Sequence, residues 1–118
     1  MANEITTNIN VSVTVNGQTA TGTVSGSSDA SNNAFIGNEQ LIGTTAETIF
    51  LGDIGSAPIF LFIRNMDGTN FVTVDSVNTL TNFPQKILPN KGIYLYPQTG
   101  TIYIKADTAS CRVWVVAA

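Results

Sequence analysis

The chain has 118 residues, no histidine and a single cysteine, Cys111. Those two shortages remove several chemistries at once. Within one chain no zinc or similar site can be assembled from His and Cys, neither Ser-His-Asp nor Cys-His catalysis is available, and no internal disulfide can form. Charge is also scarce, at 11% of residues with a formal net charge of -3. The five basic residues, Arg64, Lys86, Lys91, Lys105 and Arg112, are scattered. Phosphate backbones require clustered cations, so no nucleic-acid partner is expected. No apolar run approaches the roughly 20 residues of a membrane span, and residues 1–4 lack the basic and apolar stretches of a secretion signal. A soluble protein made in a cytoplasm, with no membrane partner, is expected. The eight acidic residues cannot be placed in pairs and the glycines follow no strand-then-helix order. Acid/base hydrolysis and phosphate cradling therefore have no support, and neither an enzyme nor a cofactor is expected.

Helical periodicity is missing too, and what fills the chain instead is alternation. Hydrophobic residues make up 43%, and Thr, Ser, Asn and Gly much of the rest, a mixture that favours folded β structure in one domain over residues 1–118. Ile5, Ile9, Val11, Val13 and Val15 fall on odd positions with polar residues between them, the period of a half-buried strand. Asn16-Gly17 is a strong two-residue turn. Pairing across it sets Val15 against Gln18, Val13 against Ala20, Val11 against Gly22 and Ile9 against Val24. The expected product is a β-ribbon over residues 1–24 with large residues facing small ones. An isolated hairpin is marginal in water, so this arm should lie against its own domain or against another subunit or capsid. Residues 25–33, rich in Ser and Asn, read as a loop.

Residues 57–75 look like the organising hairpin. Ile59, Leu61 and Ile63 alternate with Phe60 and Phe62, which suits a strand in the middle of a sheet, and Asp67-Gly68 is a favoured turn. That turn would place Ile63 opposite Val72, Leu61 opposite Val74, Phe62 opposite Thr73 and Phe60 opposite Asp75. A second hairpin is expected over residues 93–105, with Tyr94 opposite Tyr103, Tyr96 opposite Thr101, and Ile93, Leu95, Ile102 and Ile104 on the reverse face. Less regular strands are expected over residues 34–42, 48–51 and 84–88. A last strand over residues 111–116 alternates Cys111, Val113 and Val115 with Arg112, Trp114 and Val116. The sum is an all-β chain of about eight or nine short strands, an antiparallel β-sandwich or a jelly-roll-like barrel.

Tyr94, Tyr96 and Tyr103, on one face of the expected second hairpin, suit a sugar-stacking platform, a subunit interface or ordinary packing, and the sequence leaves all three open. Phe60, Phe62 and Trp114 join them as candidate interface residues. Asn65, Asp67 and Asn70 crowd one turn with oxygen ligands of the type calcium prefers, although turn chemistry explains all three and no metal is expected. Asp75 would sit beside Phe60 and reach Arg64 or Lys86, or be satisfied locally. Cys111 reads as a small buried hydrophobe.

Several segments together resemble small β-rich structural proteins of tailed bacteriophages: MANEIT at residues 1–6 ahead of an alternating strand, LGDIG at 51–55, FLFIRNMDGTNFV at 60–72, ILP at 87–89 and KADTA at 105–109. The resemblance implies a virion component, foremost a decoration or cement protein on the capsid surface, synthesised in the host cytoplasm. Its expected partners are the major capsid protein or another virion protein and further copies of itself, in a small homo-oligomer such as a trimer. A neck, tail or fibre piece, or a carbohydrate-binding module displayed on the particle, is the alternative. The resemblance supplies no active-site residues.

Overall fold

In the computed structural model, Asn16 and Gly17 both take positive φ, 51° and 79°, the backbone that a tight two-residue hairpin turn requires and that Gly adopts without steric cost. Residues 4–29, 34–52, 54, 58–97 and 100–118 are described. Around this turn β1 (Glu4–Val15) and β2 (Gln18–Asp29) pair antiparallel along twelve residues each, with Val15 against Gln18, Val13 against Ala20, Val11 against Gly22 and Ile9 against Val24. The expected register is borne out. The ribbon is longer than expected, because Ser25–Asp29 of the supposed loop stay in the ladder opposite Glu4–Asn8; residues 30–33 lie outside the described residues.

Eight further strands follow: β3 (Ile36–Ile42), β4 (Glu47–Thr48), β5 (Leu61–Asn65), β6 (Val72–Asp75), β7 (Gln85–Ile87), β8 (Gly92–Leu95), β9 (Tyr103–Ala106) and β10 (Cys111–Ala117). They form two four-stranded antiparallel sheets, ordered β3-β10-β5-β8 and β4-β9-β6-β7. The described residues thus form the expected antiparallel sandwich, of eight strands in two sheets, with the N-terminal two-stranded ribbon beside it and no helix among them. The pairings β3 with β10, β4 with β9, β5 with β8 and β6 with β7 are nested. One long folded-over ribbon has been rolled so that its successive strands alternate between sheets, the connectivity of a jelly roll. The two sheets stay open at their edges, and no barrel closes.

This connectivity corrects two of the expected hairpins. Residues 57–75 and 93–105 each hold two strands, but β5 and β6 belong to different sheets, as do β8 and β9. Ile63 pairs with Ile93 and Val115, not with Val72, and Tyr94 pairs with Phe62, not with Tyr103. The physical reason is visible at Asp67-Gly68, where neither residue has the positive φ that the turn needs. Instead the Asn65 side chain, fully buried, donates to the carbonyls of Asn70 (2.8 Å) and Ile87 (3.2 Å) and accepts from the Asp67 amide. Asp67 Oδ1 accepts from the amides of Thr69 and Asn70, both at 2.7 Å. These bonds hold an arch that carries the chain across the core. The expected loop at residues 97–100 falls partly on Gln98 and Thr99, outside the described residues.

The true hairpin of the roll is β6–β7, and Asp75 governs it. Its carboxylate, on a residue only 5% exposed, accepts from the backbone amides of Ser76 (2.6 Å), Asn82 (2.9 Å) and Phe83 (3.1 Å). Of the two readings, the locally satisfied carboxylate holds and pairing with Arg64 or Lys86 does not; a carboxylate at the root of a long loop is satisfied more completely by donors converging from the loop than by one flexible cation. Between the sheets lies a core of Leu61, Ile63, Val72, Val74, Ile87, Ile104, Val113 and Val115, all at 2% exposure or less. The alternation of β10 is borne out, with Cys111, Val113 and Val115 inward and Arg112 and Trp114 outward. β3 passes through Gly37 without a break, because Gly37 pairs with Val116.

Candidate interaction surface

Parity decides which side chains reach the surface of the first sheet. With Leu61, Ile63, Val113 and Val115 inward, Phe62, Arg64, Trp114 and Val116 must point outward. Cross-strand register then places Val116, Phe62 and Tyr94 on one level and Trp114, Arg64 and Gly92 on the next. Gly92 leaves room there: a Cβ would lie a tight 3.2 Å from the Ile63 carbonyl oxygen and 3.4 Å from the Phe62 ring. Beyond the level of Val116, Phe62 and Tyr94, Phe60 exchanges backbone hydrogen bonds with Ala118, so the pairing of β5 with β10 continues to it. Its ring lies 5.5 Å from that of Tyr94 and 6.5 Å from that of Tyr96, with the two tyrosines 5.5 Å apart. Such tilted and edge-on contacts are the favoured geometry of aromatic groups. A hydrogen bond with Tyr96 raises the Tyr94 phenol above its ordinary pKa, with burial adding to the effect.

Five of the six candidate interface residues, Phe60, Phe62, Tyr94, Tyr96 and Trp114, therefore share the outer face of one sheet. Tyr103 does not join them. It lies in β9 of the other sheet, between Thr48 and Asp75. That second outer face is of another character: Thr73 is flanked by Lys86 and Lys105, and the Lys86 ammonium sits 3.9 Å from the centre of the Phe71 ring. The expected three-tyrosine platform is thus divided between two surfaces, because the two strands that carry it were assigned to one hairpin.

The ribbon completes the aromatic face. Ile5, Thr7 and Ile9 are half-buried while the residues between them are exposed. Thr6, Thr7, Asn8 and Ile9 form one wall of an open groove of about 440 Å³. Phe60, Phe62, Arg64 and Tyr94 are among the residues of its other wall. Sequence reasoning missed this wall. The signal available was that Ile5, Thr7 and Ile9 share a parity, which marks one face of the arm but not the surface it meets. Arg112 is held at the far side of the sheet by an exposed ion pair, Nη1 to Glu39 Oε2 at 3.4 Å.

Chemically this is an apolar, aromatic contact surface with polar edges. No group of three or more His, Cys, Asp or Glu side chains that could hold a metal occurs among the described residues. Asn65 Oδ1 and Asp67 Oδ1, considered as calcium ligands, are committed to the arch, and Asn70 Oδ1 accepts from the Thr108 hydroxyl at 2.8 Å. Turn chemistry accounts for Asn65 and Asp67, while the Asn70 side chain ties the turn to the loop at Thr108. Cys111 is fully buried, and desolvation, followed by the fields of Asp67 and Asp107, pushes its thiol pKa up. That environment disfavours the thiolate needed for nucleophilic chemistry. No protein-family model, curated protein or solved structure matches the chain.

Proposed function

We propose that this protein is a structural component of a tailed-bacteriophage virion, a decoration protein that binds the capsid surface as a small homo-oligomer and stabilises the shell. The observation that carries this reading is the combination of a well-packed two-sheet roll with a ribbon whose outer part covers nothing of its own body. A protein whose task is to bridge subunits needs a rigid body, an arm and an apolar contact face, and it needs no reacting groups. The jelly-roll connectivity is in keeping with it, since that architecture recurs in viral capsid domains; it recurs in lectins as well, so fold alone does not decide function. The aromatic outer face supplies the Tyr, Trp and Phe side chains in which interface cores are enriched. The major capsid protein is the partner that the resemblance implies. Particles lacking this protein should lose their contents at a lower temperature than complete ones, and the isolated protein should scatter light as a multimer. Equal heat resistance of the two particles together with a strictly monomeric protein would end the proposal.

A second reading, a carbohydrate-binding module of a displayed fibre, is favoured by one observation, the packed group Phe60, Tyr94 and Tyr96 beside an open groove. Flat rings with a hydroxyl at one end suit a sugar face and its rim. Tyr103 has no place in that site, so the informative variants are Tyr94→Ala and Tyr96→Ala. Under this reading they abolish retention on an immobilised glycan array without lowering the melting temperature, whereas an array on which the unaltered protein finds no ligand removes the reading.

A further inference from the structure

The groove between the ribbon base and the first sheet contains a charge that nothing in the chain answers. Arg112 is paired with Glu39, and the Lys86 ammonium lies over the Phe71 ring. The Arg64 side chain lines the groove and, among the described residues, meets neither a carboxylate nor a hydrogen-bond acceptor. No acidic side chain lines the groove with it, although the chain as a whole has a net charge of -3. The groove is therefore a cationic spot on an acidic protein, and a guanidinium does not lose its charge at any pH that the fold meets.

The groups around Arg64 are of two kinds. Its neighbour on β8 is Gly92, which presents no side chain at that level. One level along, about 7 Å away, Phe62 and Tyr94 stand side by side, and ring contacts with Phe60 and Tyr96 hold Tyr94 in place. Two asparagines supply polar edges, Asn8 from the ribbon and Asn90 from the turn before β8. Asn90 is fixed by a positive φ of 62° and by donation from its amide to the Asp67 carbonyl at 3.2 Å. Among the described residues neither asparagine side chain has a hydrogen-bond partner.

We propose that this groove binds a carboxylated sugar, a pyranose ring bearing one carboxylate, as in a uronic acid. The Arg64 fork matches a carboxylate through two parallel hydrogen bonds. The apolar face of the pyranose lies on the rings of Phe62 and Tyr94, and the amides of Asn8 and Asn90, each both donor and acceptor, suit neighbouring hydroxyls. A space of about 440 Å³ is within the range of small-ligand sites. Other anions use only part of this set. Inorganic phosphate answers the arginine and leaves the rings bare, an aromatic acid leaves both asparagines unanswered, and an acidic peptide has a carboxylate on a flexible stem with no ring beside it.

The inference rests on the carbohydrate-binding reading and names the class of sugar. Its test is titration calorimetry of the full chain with short oligomers of galacturonate, glucuronate and mannuronate, with their neutral counterparts, and with oligoglutamate. At least one uronate should bind, and its neutral counterpart should bind about tenfold more weakly. Arg64→Gln should bring the uronate down to the neutral level, while Arg112→Gln, which removes the same charge from the same outer face, leaves its affinity unchanged; thermal unfolding confirms that both variants are folded. Should Arg64→Gln fail to fold, the uronate-to-neutral ratio in the unaltered protein decides by itself. Equal affinity for uronate and neutral oligomers overturns the inference and leaves the carbohydrate reading standing. Oligoglutamate binding as tightly as uronate, or equal losses in the two arginine variants, overturns it as charge attraction without a sugar site. Failure of every uronate to bind also overturns it, and the glycan array then decides the carbohydrate reading on neutral sugars.

Discussion

The ribbon and the roll are built from the same alternating pattern and reach opposite ends. In the ribbon, alternation is resolved locally: Asn16 and Gly17 turn the chain back on itself and each residue meets its partner within the same hairpin. In the roll, alternation is resolved at a distance, with β3 paired to β10 and β5 to β8, and apolar faces meet across the core. Local closure leaves the valines of the ribbon in water, whereas distant closure leaves Leu61 and Ile63 with no exposure. The same alternation therefore holds the roll together in a single chain but leaves the ribbon's valines exposed.

Matched truncations break this comparison most strongly. Ile63→Ala opens a cavity in the core and should cost about 2–5 kcal/mol in denaturant unfolding, while Val13→Ala, at a surface position, should stay within about 0.5 kcal/mol in the dissociated protein. Similar costs at the two sites would show that the ribbon is part of the folded core. Next in size is the loop that ends the folded-over ribbon. Removing the acceptor by Asp75→Ala orphans three backbone amides and should cost about 2 kcal/mol, and Asp75→Asn, which keeps one acceptor oxygen, should recover part of it. If the two variants melt alike, the carboxylate is not organising the β6–β7 loop.

The turns sharpen the contrast further. Gly17 has positive φ, so Gly17→Ala should cost the ribbon about 1 kcal/mol, read as faster amide exchange in β1 and β2. Gly68, outside the positive-φ region and with open space where a Cβ would be, should accept Ala with no loss and a gain of up to about 1 kcal/mol. A penalty at Gly68 would restore the expected hairpin there. The smallest effect is pH-dependent. Amide donation from Asn70 and Thr69 lowers the Asp67 pKa below its unfolded value. Its contribution to stability is therefore complete above the ordinary carboxylate range and fades as pH falls through the lower folded value. Asp67→Asn should flatten the acid limb of the stability curve slightly, because the group is exposed and solvent screens it; an unchanged limb would mean that these bonds persist in the unfolded chain.

What could be read from sequence follows the same division. The ribbon register was legible because Asn-Gly favours one backbone turn and leaves one register. Inward and outward parity was legible in the strong strands, so the faces of Phe62, Tyr94 and Trp114 could be read, but not that one sheet would bring them together. The partner of each strand was not, because an arch across the core and a hairpin within a sheet display identical alternation. Asp67-Gly68 satisfies the composition of a tight turn, yet Asn65, buried on the preceding strand, bonds the loop into another shape. Tyr103 shows the cost of that ambiguity: its parity was right and its sheet was wrong. Asp75 had a usable signal, an acid ending a strand before a loop of Ser, Thr and Asn, the setting in which a carboxylate gathers backbone amides.

The most direct test of the structural role is the copy number of this protein relative to the major capsid protein in purified particles, measured by quantitative mass spectrometry. A ratio on the order of the shell subunit count is expected for a protein that covers the capsid. A handful of copies would place it at the neck, tail or fibre, and its absence from the particle would contradict a virion role altogether.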